Sequence, residues 1–211
     1  MGMTNNKVAK ILTILKKEYP NAKTALNFSN PVEMLVATIL SAQCTDKRVN
    51  IVTEKLFKKY KTINAYAKTG KSAFEQDVKS TGFYRNKAKN IIATAKIIVK
   101  DFGGKVPDTM VDLLKLPGVA RKTANVVLGN SFGIYEGIVV DTHVIRISNR
   151  LGFVKSDNTL KIESKLMELI PIRDWFLFSH LMQSHGRAVC KARRPDHNKC
   201  VLKNVCPSAK L

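Results

Sequence analysis

The sequence predicts an all-α fold, and three features of its patterning lead to that prediction. Apolar residues recur every three or four positions along most of the chain, which is the period of an amphipathic helix. Most of these segments end at a glycine, the residue that commonly follows the last turn of a helix. Sustained alternation of polar and apolar residues is missing. The best strand candidate, GIVV at 137–140, is too short to build a sheet.

The first clear helix start lies at residues 30–33. Asn30 is a favoured N-cap, Pro31 suits the first helical position, and Glu33 stands where a capping box needs an acidic residue. The apolar side chains that follow repeat at helical spacing. Further segments of the same kind bring the expected total to about ten short helices. They are VNIVTEKLFKKY, SAFEQDVKSTG, NKAKNIIATAKIIVKDFGG, DTMVDLLKLPG, ARKTANVVLGNSFG, THVIRISNRLG, NTLKIESKLMELIP and DWFLFSHLMQSHGRAVC.

The charge balance is the strongest feature of the composition. The 211-residue chain has 36 Lys and Arg against 16 Asp and Glu, which gives a formal net charge of +20. A field of that size attracts a polyanion, so it favours a nucleic-acid partner over a lysine-rich surface that is merely solvated. No apolar run approaches the ~18 residues of a membrane span, and the N-terminus lacks the apolar stretch of a signal peptide. We therefore predict a cytoplasmic, nucleoid-associated protein without a membrane partner.

The segment LLKLPGVARKTANVVLGN predicts a helical hairpin, because two helices meet at the turn Pro117-Gly118. The first N–H groups of the second helix have no partners within it, and they lie at the positive end of the helix dipole. Such an end binds a phosphate group of DNA without reading the base. We therefore predict DNA contacts from four residues of this hairpin. They are Leu116, Gly118, Ala120 and Arg121.

Lys122 lies in the first turn of the second helix, where a positive charge is unfavourable. The helix dipole and the neighbouring Arg121 both favour the neutral amine, which is the nucleophilic form able to make a Schiff base. A lysine at this place could equally serve only as a phosphate contact. The residues alone leave these two roles open.

Asp141 precedes the helical run THVIRISNRLG, and an aspartate in such a position ordinarily acts as an N-cap. An N-cap carboxylate at a cleft would also be a fixed negative charge able to stabilise a cation. His143 could act as a base, although such a histidine is more often structural. On the residue pattern alone, the capping role is favoured for Asp141.

Three of the four cysteines cluster with a histidine near the C-terminus, in the order Cys190, His197, Cys200 and Cys206. In a cytoplasmic protein, such a cluster indicates a bound metal rather than disulfide bonds. Three thiols and one imidazole are a ligand set that structural zinc sites use.

Several motifs in the same order resemble the endonuclease III family of DNA glycosylases, within the helix-hairpin-helix GPD superfamily. LPGVARKTANVVL followed by VDTHVIRISNRLG resembles the family's hairpin and its downstream aspartate. ILSAQCTDKRVN, TGFYRNKAKNI and HGRAVCKARRPD resemble three further segments, so the resemblance covers nearly the whole chain. One departure is Ala120, because the family's hairpin usually has glycine there. We expect slightly weaker phosphate contact and no loss of function.

The resemblance implies two α-helical domains with DNA crossing the cleft between them. Residues 25–135 would form a six-helix domain that contains the hairpin. Residues 1–24 and 136–211 would form the other domain, which ends in an iron–sulfur-type loop. By the same resemblance, Lys122 is the nucleophile and Asp141 is the catalytic aspartate.

The resemblance also implies how a flipped nucleotide is accommodated. Gln43 would fill the gap that the nucleotide leaves in the duplex. Phe83 stands where the family often has a leucine that wedges into the base stack, a role that suits an apolar side chain. Arg193 and Arg194 lie in the basic C-terminal loop and are expected to contact the phosphate backbone.

The family's metal ligands follow the pattern Cys-x6-Cys-x2-Cys-x5-Cys around a [4Fe–4S] cluster. Here the spacing is kept and His197 stands at the second position. We favour a cluster held by Cys190, His197, Cys200 and Cys206, because imidazole replaces thiolate in some iron–sulfur centres. Zinc and the loss of the metal are the alternatives. The expected role of the cluster is to fix the basic loop against the DNA backbone.

The function implied is that of a bifunctional DNA glycosylase and AP lyase of base excision repair. It would act as a monomer on double-stranded DNA that contains damaged bases or abasic sites, with oxidised pyrimidines as expected substrates. Lys122 favours the bifunctional activity, because mismatch-specific relatives usually have Ser or Tyr at its position. The first alternative is a mismatch-specific glycosylase. The second is a non-enzymatic DNA-binding protein, which would leave the pairing of Lys122 with Asp141 unexplained.

Overall fold

The computed structural model describes residues 5–209, and these residues form eleven α-helices and no strand. The all-α prediction is therefore confirmed, and GIVV at 137–140 is a buried segment without regular structure. In chain order the helices are α1 (Asn5–Glu18), α2 (Pro31–Leu40), α3 (Asp46–Lys59), α4 (Ile63–Lys68), α5 (Lys71–Val78), α6 (Tyr84–Asp101), α7 (Met110–Leu113), α8 (Arg121–Val127), α9 (Thr142–Leu151), α10 (Thr159–Leu169) and α11 (Trp175–Ala188). None of these helices is long and apolar enough to cross a membrane.

The chain divides into two compact units, one of residues 25–136 and one of residues 1–24 together with 137–211. The first unit contains the seven helices α2–α8. Within it, α6 packs against α2, α4 and α5, and α8 packs against α2 and α7. Their apolar faces share one core, which includes an aromatic cluster. The rings of Tyr66 and Phe74 meet edge to face with centroids 5.9 Å apart, a favourable arrangement of their quadrupoles.

The predicted start of α2 is confirmed, with one difference. The Asn30 side chain accepts a hydrogen bond from the backbone N–H of Glu33 at 3.0 Å, as an N-cap does. The Glu33 carboxylate accepts from the backbone N–H of Ser29 at 2.7 Å, one residue before the partner that a capping box uses. Together these two hydrogen bonds still satisfy two backbone N–H groups near the start of the helix, so α2 begins where the sequence predicts.

The second unit contains α1, α9, α10 and α11, and α11 packs against both α1 and α9. Its core is formed by apolar side chains from all four helices. The fully buried members include Ile11, Leu15, Val144, Ile162, Leu166, Phe178 and Leu181. Lys16 of α1 also forms an ion pair with Asp174 at 2.6 Å, next to the start of α11. The cysteine-rich segment after α11 consists of turns, so side-chain contacts, described below, define its path.

Candidate functional site

The predicted hairpin is present, and α6 fixes its turn. The turn between α7 and α8 contains Gly118 with φ 79°, a backbone conformation that favours glycine. A Cβ atom at Gly118 would lie 2.8 Å from Nδ2 of Asn90, so there is also no room for a side chain. The Thr94 hydroxyl donates a hydrogen bond to the carbonyl of Pro117 at 2.9 Å. Two residues of α6 therefore hold the turn in place.

The other hairpin residues differ in what they present to solvent. Ala120 is the N-cap of α8 with φ −89°, so its methyl group causes no backbone strain where the family usually has glycine. Leu116 is 2% exposed, its N–H donates to the carbonyl of Leu113 and its carbonyl accepts from Val119, so its predicted DNA contact is not supported. Arg121 donates from Nη2 to the carbonyl of Glu136 at 3.3 Å. Lys122 is the second residue of α8 and is exposed, so its amine can be reached by a substrate.

Gln43 and Phe83 share an unusual backbone conformation. Among residues 5–209 they are the two residues other than glycine with positive φ, at 51° and 47°. Such a conformation costs on the order of 1–3 kcal/mol per residue and is most common at functional sites. Gln43 lies between α2 and α3, and Phe83 is the N-cap of α6. Both are exposed, and Phe83 keeps 65% of its surface in solvent, which is unusual for a large apolar residue.

Asp141 is the N-cap of α9, as its sequence position predicts. Its Oδ1 accepts hydrogen bonds from the backbone N–H groups of His143 at 2.8 Å and Val144 at 2.9 Å. The carboxylate therefore has a fixed orientation at the positive end of a ten-residue helix. Its charge also reaches the buried His180. The pKa of His180 is lowered, chiefly because burial disfavours the charged ring, and Asp141 opposes that change.

The contacts of His143 favour a structural role over a role as a catalytic base. Its Nδ1 lies 3.1 Å from Nη2 of Arg146, which also donates to the carbonyl of Gly186 at 3.4 Å. A Cβ atom at Gly186 would meet His143 Nδ1 at 2.3 Å. Helices α9 and α11 therefore approach each other closely here because residue 186 has no side chain.

The four predicted metal ligands line one cavity of about 20 Å³. Cys190 accepts a hydrogen bond at Sγ from Nη1 of Arg150 at 3.1 Å. Cys200 is buried, and burial raises the pKa of its thiol. Three thiols and an imidazole around one space are a donor set suited to a metal centre. Within residues 5–209, however, no three Cys, His, Asp or Glu side chains are close enough together to hold an ion, so the metal site stays a prediction.

His185 is a member of this cavity that the sequence patterns did not single out. Its Nε2 lies 3.7 Å from Sγ of Cys200, and its Nδ1 shares a 3.1 Å hydrogen bond with the hydroxyl of Tyr19. Burial lowers the pKa of His185 to about 4, so the ring is neutral at neutral pH. The sequence contains a pattern that could have predicted this contact, because in HGRAVCKARRPD this histidine stands five residues before Cys190.

Arg150 of α9 anchors both ends of the cysteine-rich segment. Its guanidinium donates to the carbonyls of Lys191 and Ala192, both at 2.8 Å. Its own carbonyl accepts from the hydroxyl of Ser208 at 2.9 Å and from the thiol of Cys206 at 3.6 Å. Between these anchors, Arg193 and Arg194 are both exposed, as a phosphate-binding role would require.

The predicted site residues are shared between the two units. The hairpin, Lys122, Gln43 and Phe83 belong to the unit of residues 25–136. Asp141, the two arginines and the cysteine-rich segment belong to the other unit. Chemically, the first unit offers an exposed primary amine and a backbone suited to phosphate. The second offers an oriented carboxylate and a basic loop.

Comparison with known proteins places these features in one family. Residues 36–172 match the family described as HhH-GPD superfamily base excision DNA repair protein. Endonuclease III of Synechocystis is 53% identical over 209 residues, covering 99% of this chain and 95% of that protein. Endonuclease III of Escherichia coli is 40% identical over 204 residues, covering 97% and 96%.

Solved structures give the same picture. A trapped covalent intermediate of endonuclease III with DNA, an estranged-adenine complex, is similar with a TM-score of 0.93 and 42% identity, covering 99% of this chain and 98% of that one. A thermostable thymine-DNA glycosylase has a TM-score of 0.87 at 24% identity, covering 97% of each chain. At 24% identity, the similarity to the thymine-DNA glycosylase establishes a shared fold and not a shared activity.

Proposed function

This chain belongs to the HhH-GPD superfamily, and within it to the endonuclease III family, and on that premise we propose that Lys122 and Asp141 carry out its reaction. It is a DNA glycosylase of base excision repair with AP lyase activity, and its partner is DNA that contains damaged bases or abasic sites. The observation that carries the proposal is the position of Lys122, an exposed amine in the first turn of α8, directly after the turn of the hairpin.

Lys122 is the nucleophile. Its neutral amine attacks C1′ of the flipped nucleotide, and the C1′–N bond breaks so that the base leaves with the electron pair and takes up a proton. Opening of the sugar ring then gives a Schiff base between Nζ and C1′. Loss of a proton from C2′ breaks the C3′–O bond and cuts the strand on the 3′ side. Water hydrolyses the Schiff base and restores the lysine, so no diffusible cofactor is consumed.

Asp141 stabilises the positive charge that develops on the sugar as the base leaves. The backbone N–H groups of His143 and Val144 hold the carboxylate in one orientation, so little reorganisation is needed when the charge appears. The capping role and the catalytic role are compatible, because the two backbone bonds are both made by Oδ1 and the charge belongs to the whole carboxylate.

The remaining site residues hold the DNA. Gln43 occupies the space left by the flipped nucleotide, and Phe83 enters the base stack beside it. Backbone N–H groups around Gly118 and Ala120 bind a phosphate, with Arg121 adding positive charge. Arg193 and Arg194 bind the backbone elsewhere on the duplex. These contacts read no base sequence, so the target is selected by how readily its base flips.

The substrates proposed are oxidised pyrimidines, and the chain acts in the cytoplasm on nucleoid DNA. The alternative is excision of mismatched bases, which the similarity in fold to a thymine-DNA glycosylase allows. Lys122 favours the first activity, because Schiff-base chemistry needs a primary amine and not the Ser or Tyr of mismatch-specific relatives.

We propose a [4Fe–4S] cluster held by Cys190, His197, Cys200 and Cys206. The support is that all four side chains line one cavity and that their spacing is the one that the endonuclease III resemblance implies for such a cluster. When bound, the cluster supplies structural cross-linking of the basic loop and takes no part in the steps above. Arg150, through its bond to Cys190, orients one ligand.

Trapping with sodium borohydride tests the proposed chemistry. Borohydride reduces a Schiff base to a stable amine, so the wild type should become covalently attached to a duplex with an abasic site. Lys122→Gln should bind that duplex and give no adduct. Lys96→Gln, which removes an exposed lysine from α6, is the matched control and should trap fully. Full trapping by Lys122→Gln would show that another amine is the nucleophile.

A further inference from the structure

A buried lysine links the two loops that carry Gln43 and Phe83. Lys87 of α6 is 5% exposed, although lysine is among the residues least often buried. Its Nζ donates to the carbonyl of Leu40 at 2.9 Å and to the carbonyl of Thr81 at 2.7 Å. Leu40 precedes Gln43 by three residues, and Thr81 precedes Phe83 by two. One ammonium group therefore joins the start of both loops.

The surroundings of Lys87 suit a cation. Leu40 is the last residue of α2, and Thr81 is the last residue of a short 3-10 helix, Lys79–Thr81. Carbonyl groups at the C-terminal end of a helix carry partial negative charge, so both bonds are charge-assisted. Burial lowers the pKa of Lys87, which reflects the cost of taking the ammonium out of water. The two carbonyl bonds offset that cost.

The two loops also share the strained backbone described above. Gln43 and Phe83 both have positive φ, and neither side chain type favours that conformation. Strained residues persist only where the surrounding structure fixes them. The carbonyls that Lys87 binds lie three residues before Gln43 and two before Phe83, in a part of the unit where α2 and α6 already pack together. Lys87 is thus placed to hold both strained loops at a fixed spacing.

We propose that Lys87 is a positioning residue for excision, which sets the distance between Gln43 and Phe83 so that the two side chains enter the duplex together. This inference rests on the proposed roles of those two residues. It assigns no contact between Lys87 and DNA. Its effect should therefore appear only while Gln43 and Phe83 are present.

A double-mutant cycle tests this dependence. Excision from a lesion-containing duplex is measured for Lys87→Met in the wild-type background and in a background of Gln43→Ala plus Phe83→Ala. In the wild-type background, Lys87→Met should lower kcat/KM by about tenfold or more. In the doubly substituted background, the same change should lower it by less than about twofold. An equal loss in both backgrounds would overturn the proposal, as would normal excision by Lys87→Met.

A spectroscopic measurement separates positioning from general damage to the fold. 2-Aminopurine placed opposite an abasic site becomes brighter when it loses its stacking partners, as it should when the wild type enters the duplex. Lys87→Met at saturating concentration should not produce this increase. Two controls on α6 should retain it, namely Lys96→Met for loss of a charge and Ile98→Ala for loss of core packing. A normal increase with Lys87→Met would overturn the proposal.

The remaining outcomes are also decisive. If Lys87→Met does not fold, Lys87→Gln, which keeps an amide donor, replaces it in the cycle. If neither variant folds, Lys87 supports the whole core of its unit and the proposed role is wrong. If Gln43→Ala plus Phe83→Ala excises at the wild-type rate, it is the wedge roles in the proposed function that fail.

Discussion

The Asp141 carboxylate accepts a hydrogen bond from the backbone N–H of Val144 at 2.9 Å, so the residue proposed for catalysis also starts a helix. The second bond, from His143, is made to the same oxygen. Loss of activity in an Asp141 variant could therefore come from a frayed helix or from a missing charge. Variants that keep one property and remove the other can distinguish these causes.

Asp141→Asn keeps an oxygen that can cap α9 and removes the negative charge. We expect the free energy of unfolding to fall by less than about 1 kcal/mol, because asparagine is as good an N-cap as aspartate. Excision should fall by orders of magnitude, measured under single-turnover conditions. The matched control is Asn158→Ala, which removes the cap of α10 and should cost stability without loss of excision. Normal excision by Asp141→Asn would mean that capping is its whole role.

Gly118→Ala should disrupt the hairpin for two reasons, a positive φ and a clash with Asn90. We expect a loss of about 1–3 kcal/mol in the free energy of unfolding and weaker binding to DNA of any sequence. Gly133→Ala is a control for backbone strain alone, because its φ is +67° and a Cβ there meets nothing within 4 Å. If both variants bind DNA equally well in a fluorescence-anisotropy titration, the hairpin turn is not a phosphate site.

Arg193→Ala plus Arg194→Ala should weaken binding and reduce its dependence on salt. Each phosphate contact contributes about 0.9 to the slope of log affinity against log salt on duplex DNA, so losing two contacts should reduce the slope by about 1.8. The slope is measured by titration at several salt concentrations. Lys161→Ala plus Lys165→Ala, on the exposed face of α10, removes the same charge and serves as control. An unchanged slope in the arginine variant would place the DNA elsewhere.

Anaerobically purified protein should contain about four irons per chain and absorb broadly in the visible range. His197→Cys should keep this signature and hold iron more firmly, because it restores a fourth thiolate at the family's spacing. Cys200→Ser should lose iron, since it removes a ligand candidate from the interior of the cavity. Elemental analysis and the absorption spectrum provide the measurement. One zinc ion in a colourless protein would contradict the assignment of a cluster.

Local sequence patterns are enough to predict the helix starts and the turn that position the candidate catalytic and phosphate-binding residues. The cap at Asn30, the turn at Gly118 and the cap at Asp141 are each set by interactions within a few residues. Helix α4 was not predicted, because its six residues are too few to show a helical period. Its start depends on Thr62, whose side chain accepts from the backbone N–H of Ala65 at 3.3 Å.

Features that depend on distant parts of the chain could not be predicted. Lys87 is buried because it binds the carbonyl of Leu40, 47 residues earlier in the sequence. Gln43 and Phe83 both have positive φ, and nothing in those residue types signals it. His185 faces Cys200 only because α11 brings it there. Such contacts arise from tertiary packing, which sequence periodicity does not encode.

The attachment of the cysteine-rich segment to Arg150 bears on whether the path of this segment depends on a metal. Hydrogen bonds within the chain hold both ends of this segment to Arg150 of α9. At one end its guanidinium donates to the carbonyls of Lys191 and Ala192. At the other end its carbonyl accepts from Cys206 and Ser208. Closing this long loop is the entropically demanding step, and it is accomplished by the polypeptide itself. These bonds need no metal, so the path of the segment should not depend on the proposed cluster. Protein produced under iron starvation should then keep its helical content, which circular dichroism can measure.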